Sequence, residues 1–168
     1  EFKSMIYMGV INGITGFQTW PMRPSSQILW ESVKNSISEM REIWPFIISQ
    51  KKVDLSIEGS QYMYASAKLV GDKLYIVAVN PSNLKQQASF KIETKDAVNS
   101  TGQILFENKE CKMINNKVDG SFEPYERHVY VIPLNDSVID EINETTNDSA
   151  NNLLAAPNNI EAIIETNE

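Results

Sequence analysis

The stretch from Gly16 to Trp44 constrains the fold of this chain more than any other. Residues 14–20 alternate like a strand, and Pro21 ends the pattern because it has no amide hydrogen to donate to a ladder. Pro24-Ser25-Ser26 predicts a helix start in which either serine can cap. The apolar positions that follow recur at spacings of three and four: Trp30, Val33, Ile37, Met40 and Trp44.

This helix should bury one broad face and expose the other. Ile28, Leu29 and Ile43 widen the apolar stripe, and Pro45 marks its end. The polar residues predicted to lie off the stripe are Glu31, Lys34, Glu39, Arg41 and Glu42. A further helix is predicted over residues 2–12, closed by Gly13 in a left-handed cap.

A single strand between two helices cannot stand alone, because its backbone edges would stay unpaired. Two arrangements satisfy it. In the first, the chain is the C-terminal piece of a larger α/β domain that supplies neighbouring strands. In the second, the strand over residues 14–20 joins the sheet formed further along the chain.

From residue 53 the apolar period changes to two, which predicts strands. The predicted strands span 53–57, 60–70, 73–80, 87–93, 102–107, 112–117 and 127–134, with turns at 71–72, 80–83 and 115–120. The run LYIVAV (74–79) is apolar on both faces, as in a central strand. About seven short strands in this length favour an antiparallel β-sandwich.

The last 34 residues differ in composition from the rest. Residues 135–168 hold eight of the 22 acidic residues and none of the 15 basic ones, so most of the net charge of −7 lies there. We expect a mostly disordered, Asn-rich tail with one short helix near its end, because it has little apolar surface to bury. The nearly neutral remainder has no basic excess to favour nucleic acid or a membrane surface.

The cysteine count and the glycosylation sequons do not determine the cellular compartment. Cys111 is the only cysteine, so no internal disulfide can form. N-x-S/T sequons occur at Asn99, Asn135, Asn143 and Asn147, as in secreted or lysosomal proteins, with a small excess over chance.

Two sets of motifs resemble a known group of enzymes. YMGVINGITGFQTWP followed by LWESVKNSISEMREIWPFI is similar to the last strand and helix of the (β/α)8 barrel in glycoside hydrolases. LYIVAVNPS, SFKIE, GQILFE and DGSFEPYERHVYVI resemble the small C-terminal β-sandwich of such enzymes. The resemblance covers residues 1 to about 134 and indicates architecture more than substrate.

The resemblance implies an α+β fragment in three parts: residues 1–48 as the end of the barrel, 49–134 as an antiparallel β-sandwich, and 135–168 as the tail. It implies a carbohydrate substrate and an upstream barrel segment as partners. The two catalytic carboxylates would lie upstream of Glu1, so this segment alone should be inactive. Trp20 would stack on a sugar ring, with Gln18 and Arg23 bonding its hydroxyls.

Other chemistry-bearing residues are predicted to be structural. His128 is the only histidine, and with no nucleophile or second histidine we expect neither a triad nor a metal site. Cys111 is expected to be an inert thiol, and Glu110, Glu123 and Glu126 to be solvated turn residues. No cofactor motif is found in the sequence. The alternative function is a non-catalytic β-sandwich that binds carbohydrate or mediates adhesion, with a helical stalk.

Overall fold

The computed structural model describes residues 1–18 and 26–155, and this part is α+β with antiparallel sheets. Its helices are α1 (Phe2–Ile11), α2 (Gln27–Glu42), α3 (Trp44–Ile48) and α4 (Asp136–Ala155). Its strands are β1 (Lys52–Val53), β2 (Leu55–Glu58), β3 (Tyr64–Val70), β4 (Lys73–Val79), β5 (Gln86–Ile92), β6 (Ser100–Ile104), β7 (Lys109–Met113), β8 (Lys117–Phe122) and β9 (Arg127–Pro133).

The strands form two sheets. The larger has the order β1-β3-β4-β9-β6-β7, and the smaller has the order β2-β5-β8. Strand β4 pairs along its whole length with β3 and β9, so the central position predicted for LYIVAV is confirmed. Its side chains alternate between two cores: Leu74 and Ile76 face the smaller sheet, and Val77 and Val79 face the helices.

The described chain is therefore built in layers. The first three helices cover one face of the larger sheet, where Tyr7, Ile43 and Phe46 pack against its valines. The smaller sheet covers the other face, where the Phe90 and Tyr130 rings lie 5.9 Å apart. Both faces of the central strand β4 are thus buried, which explains why it contains so few polar residues.

The predicted turn over residues 115–120 is wrong in its second half. Asn115 and Asn116 have positive φ of 49° and 69°, so they alone make the two-residue connection, and β8 begins at Lys117. Asparagine tolerates this left-handed conformation, which matches the twist of a tight hairpin. The predicted strand over 112–117 is accordingly split between β7 and β8.

The predicted strand over residues 14–20 is also not found in the described part. Residues 14–18 have no regular secondary structure, and residues 19 and 20 lie outside the described range. The strands of the larger sheet pair with one another and leave residues 14–18 unpaired. The preceding turn is as predicted, since Gly13 has φ of 91° and follows α1.

The disorder predicted for the acidic tail is wrong for residues 136–155, which form α4. Asn135 caps this helix by accepting a hydrogen bond from the Val138 amide at 3.1 Å. Val138 and Ile142, one turn apart, are buried in the core between the two sheets. Residues 156–168, including the short helix predicted near the end, lie outside the described part. None of the described helices is both long and apolar enough to cross a bilayer.

Gly102 on β6 should be intolerant of a side chain. A Cβ there would collide with the Val131 carbonyl oxygen and with Ile132 of neighbouring β9. We expect Gly102→Ala to lower the free energy of unfolding by about 1–3 kcal/mol, the usual cost of overpacking. Urea unfolding followed by circular dichroism measures it. Gly16→Ala is the matched control, since its Cβ would meet no atom within 4 Å; equal effects of the two changes would contradict the prediction.

Candidate functional site

An apolar groove runs between the end of α1, the irregular residues 14–17, the C-terminal half of α2 and α3. Its volume is about 580 Å³. Aliphatic and aromatic side chains dominate its lining, together with Arg41 and backbone of the irregular segment. The described lining residues are Val10, Ile14, Thr15, Gly16, Phe17, Ile37, Met40, Arg41, Trp44 and Ile47.

The groove exists because α2 presents only half of its apolar stripe to the sheet. Val33, Met40 and Ile43 are buried. On the other side of the stripe, Ile28 is 84% exposed and Trp44 is 48% exposed, with Leu29 and Ile37 exposed between them. The broad apolar face predicted for this helix is therefore only half covered within the described chain.

A buried ionic network fixes α1 and α2 on the sheet beside this groove. The Glu39 carboxylate of α2 accepts two hydrogen bonds from the Arg127 guanidinium of β9, at 2.8 and 3.2 Å. It also accepts hydrogen bonds from Lys3 Nζ at 2.7 Å and from the Tyr7 hydroxyl at 2.8 Å. One carboxylate thus joins two helices to the sheet through bonds that are strong because the partners are charged.

The network also determines the protonation of its members. Burial alone would raise the pKa of Glu39, but hydrogen bonds from Arg127 and Lys3 outweigh it and hold that pKa below its usual value. Burial, reinforced by the negative charge of Glu39, raises the pKa of Tyr7 far above its usual value. The carboxylate is therefore charged and the phenol neutral at ordinary pH, as their hydrogen bonds require.

Sequence reasoning missed these residues. Glu39 was predicted to lie off the buried face, yet it is buried with Val33, Ser36 and Met40. Its spacing from Val33, Ser36 and Ile43 places it close to that face. A charged residue there is nevertheless expected to be exposed to solvent when the sequence shows no partner for it. That partner, Arg127, lies 88 positions away along the chain.

The predicted sugar-binding residues fall at the edge of the described chain. Gln18 is exposed and directly follows the irregular segment that lines the groove. Trp20 and Arg23 lie outside the described residues. Their grouping around a sugar therefore remains a prediction.

The described groove can bind apolar surface but has no acid–base chemistry of its own. None of its described lining residues is a carboxylate, and Arg41 is charged. A metal could be held elsewhere, because Glu107, Glu126 and His128 bring three ligand atoms within 4.8 Å of one another. Burial lowers the pKa of His128, against the opposing charges of these two glutamates.

The chain is similar to known proteins in its fold. No family model matches the chain, and no curated protein does. A glycoside hydrolase family 30 subfamily 8 xylanase from Clostridium acetobutylicum is similar in structure, with a TM-score of 0.50 and 13% identity, over 79% of this chain and 38% of that one. This similarity shows a shared fold.

Two other solved structures match with lower scores. One is a GH30 endoxylanase from Clostridium papyrosolvens, with a TM-score of 0.39 and 16% identity over 49% of this chain and 23% of that one. The other is an Anoxybacillus α-amylase, with a TM-score of 0.46 and 14% identity over 66% of this chain and 23% of that one. The matched part is thus between 23% and 38% of each of these three proteins.

Proposed function

We propose that this chain is the C-terminal portion of a carbohydrate-active glycoside hydrolase whose catalytic carboxylates lie upstream of Glu1. In this proposal residues 1–48 end a (β/α)8 barrel, residues 49–134 form its β-sandwich, and the partners are a carbohydrate and the upstream barrel segment. The observation on which the proposal chiefly depends is the half-covered apolar face of α2 and the groove beside it. A large exposed apolar patch commonly marks a surface that packs on further polypeptide.

The architecture supports the same proposal. The fold is shared with part of a protein described as a xylanase. The ionic network around Glu39 joins α1 and α2 to the sheet, as contact between the end of a barrel and its β-sandwich would require. In the proposed barrel residues 14–20 would form a strand that pairs with upstream strands, which would supply the partners that the described residues 14–18 lack here.

Activity of a longer polypeptide tests the proposal. We expect the 168-residue chain to be inactive on aryl glycosides and on xylan, and the polypeptide of the complete gene to hydrolyse one of them. In that polypeptide Trp20→Ala should raise KM about two- to tenfold, because stacking on an aromatic ring contributes roughly 0.5–1.5 kcal/mol beyond the burial of area. Tyr62→Ala, an exposed aromatic on the β part, is the matched control and should leave KM unchanged.

Two outcomes would contradict this proposal. If the complete gene begins at this chain, the missing barrel does not exist. If the 168-residue chain alone binds xylan while the longer polypeptide hydrolyses nothing, the alternative of a non-catalytic carbohydrate-binding module is favoured instead.

A further inference from the structure

Three side-chain atoms that could ligate a metal lie close together beside the turn that joins β6 to β7. His128 Nε2 lies 3.4 Å from Glu107 Oε1 and 3.6 Å from Glu126 Oε1. Glu107 comes from the turn, whereas Glu126 and His128 flank the start of β9. The side chains of His128 and Glu107 are only 7% and 13% exposed, and that of Glu126 is 34% exposed.

The converging oxygen of Glu107 has no hydrogen bond. Its Oε1 atom is fully buried and accepts no hydrogen bond, so neither its 3.4 Å approach to His128 Nε2 nor its 3.6 Å ion pair with Arg127 has hydrogen-bond geometry. Leaving a buried carboxylate oxygen without a donor costs free energy, and native proteins seldom do so without a reason. A group that binds to this oxygen would remove the cost.

The other oxygen of each carboxylate is already engaged. Glu107 Oε2 accepts a hydrogen bond from Lys109 Nζ at 3.1 Å, and Glu126 Oε2 accepts one from the Glu123 amide at 2.6 Å. These bonds orient the two carboxylates so that both Oε1 atoms face the imidazole. Such outer hydrogen bonds are what orients ligands around a bound metal.

The histidine is oriented in the same way. Its ring stacks on Phe122 with centroids 4.2 Å apart, and its Nδ1 lies 3.0 Å from the Tyr130 hydroxyl. If Nδ1 carries the hydrogen and donates it to this hydroxyl, Nε2 presents a lone pair toward the two carboxylates. The neutral imidazole with one nitrogen so engaged is a common metal ligand.

Two of the three separations agree with tetrahedral coordination, and the third, between the two carboxylate oxygens, is within 4.8 Å. Zinc bonds to nitrogen and oxygen of about 2.1 Å at tetrahedral angles place ligand atoms ~3.4 Å apart. The two nitrogen–oxygen separations are 3.4 and 3.6 Å. One nitrogen and two oxygen ligands suit Zn²⁺, and three protein ligands leave a fourth position for water.

Arg127 is the nearby charge that could oppose a cation. Its Nη1 lies 3.6 Å from Glu107 Oε1. However, its guanidinium is already matched by two hydrogen bonds to Glu39. Lys109 is a second cation near the site, 3.1 Å from Glu107 Oε2, so a divalent ion would share the charge of Glu107 with Lys109 and Arg127.

We propose that Glu107, Glu126 and His128 form a Zn²⁺ site that ties the β6–β7 turn to the start of β9. This site does not depend on the proposed glycoside hydrolase function, and the expectation from sequence that His128 is only structural would then be wrong. The residues are near one another only in the fold, since Glu107 is 19 positions before Glu126.

Calorimetric titration of the untagged chain with Zn²⁺ tests this site. We expect one ion bound per chain, with affinity lowered at least tenfold in Glu107→Gln and in Glu126→Gln. Glu110→Gln, an exposed glutamate on β7, is the matched control and should bind as the unaltered chain does. Co²⁺ in place of Zn²⁺ should give visible absorption bands of a tetrahedral site, and these bands should disappear in Glu107→Gln.

Glu126→Gln keeps the site testable if Glu107→Gln fails to fold. Glu126 is the more exposed of the two glutamates, so its replacement should disturb the fold less. Circular dichroism checks the fold of each variant. Absence of saturable Zn²⁺ binding would overturn the site, and so would equal affinity in folded Glu126→Gln and Glu110→Gln. In that case the cluster is structural, as the sequence predicts for His128.

Discussion

Replacing Glu39 by alanine should destabilise the protein by about 3–5 kcal/mol, because it leaves the buried guanidinium of Arg127 without its main partner. Removing one member of a buried ion pair costs far more than the net contribution of the pair, since the remaining charge stays desolvated. The Tyr7 hydroxyl would also lose its buried acceptor. Urea unfolding at pH 7 measures the loss.

The matched control lies on the same helix. Glu42 is exposed near the end of α2, and Glu42→Ala should change the free energy of unfolding by less than about 0.5 kcal/mol. A second variant separates the charge effect from packing: Glu39→Leu combined with Arg127→Leu should recover part of the stability lost in Glu39→Ala, because the guanidinium is no longer buried without its main partner. Recovery should be incomplete, since Lys3 and the Tyr7 hydroxyl still lack their acceptor. Similar losses in Glu39→Ala and Glu42→Ala would show that the network contributes little.

The same carboxylate should make the stability of the fold sensitive to acid. Since the pKa of Glu39 is lower in the folded chain than its ordinary value of 4.5, the charged form stabilises the fold above that value. This contribution should be lost as pH falls below 4.5 and through the lower folded pKa. The difference in stability between the unaltered chain and Glu39→Ala should therefore shrink as the solution is acidified over this range.

A charge introduced on the buried face of α4 should also lower the stability of the protein strongly. Val138 is 1% exposed in the core between the two sheets, so Val138→Asp must either bury a carboxylate or detach the helix. We expect a loss of about 3 kcal/mol or more, because the effective penalty for a buried ion is several kcal/mol. Thermal unfolding followed by circular dichroism measures it.

The neighbouring residue supplies a control with the same added charge. Ser137 is exposed in the first turn of α4, where a carboxylate interacts favourably with the helix dipole. Ser137→Asp should therefore leave the melting temperature unchanged or slightly raised. If Val138→Asp and Ser137→Asp unfold at the same temperature, α4 does not pack on the core and the disorder predicted from composition is the better description.

The two predictions test contacts that sequence reasoning did not find. The acidic, Asn-rich composition of residues 135–168 favours disorder as an average, yet in its described first part α4 buries Val138 and Ile142 and packs Ile139 against the core. Two apolar side chains one helical turn apart are a weak signal in the sequence. They stabilise a helix only when a core lies opposite them.

The candidate groove was predicted only in part. The stripe on α2 indicated a wide apolar face, and the structure leaves Ile28, Ile37 and Trp44 of that face exposed. On the half of the stripe that meets the sheet, Glu39 binds Arg127 beside the buried Val33 and Met40. That pairing cannot be read from either segment alone.

The sequence by itself determined local features. These are the helix caps at Gly13 and Ser26, the strand LYIVAV that is apolar on both faces, and the alternation of apolar residues along the antiparallel strands. These follow from backbone sterics and from the spacing of apolar residues, which act over a few positions. The tertiary structure alone decided that Glu39 is buried, that residues 14–18 form no strand, and that Glu107, Glu126 and His128 meet. Each of these depends on charges or strand partners that are distant in the sequence, and only the packed layers bring them within bonding distance.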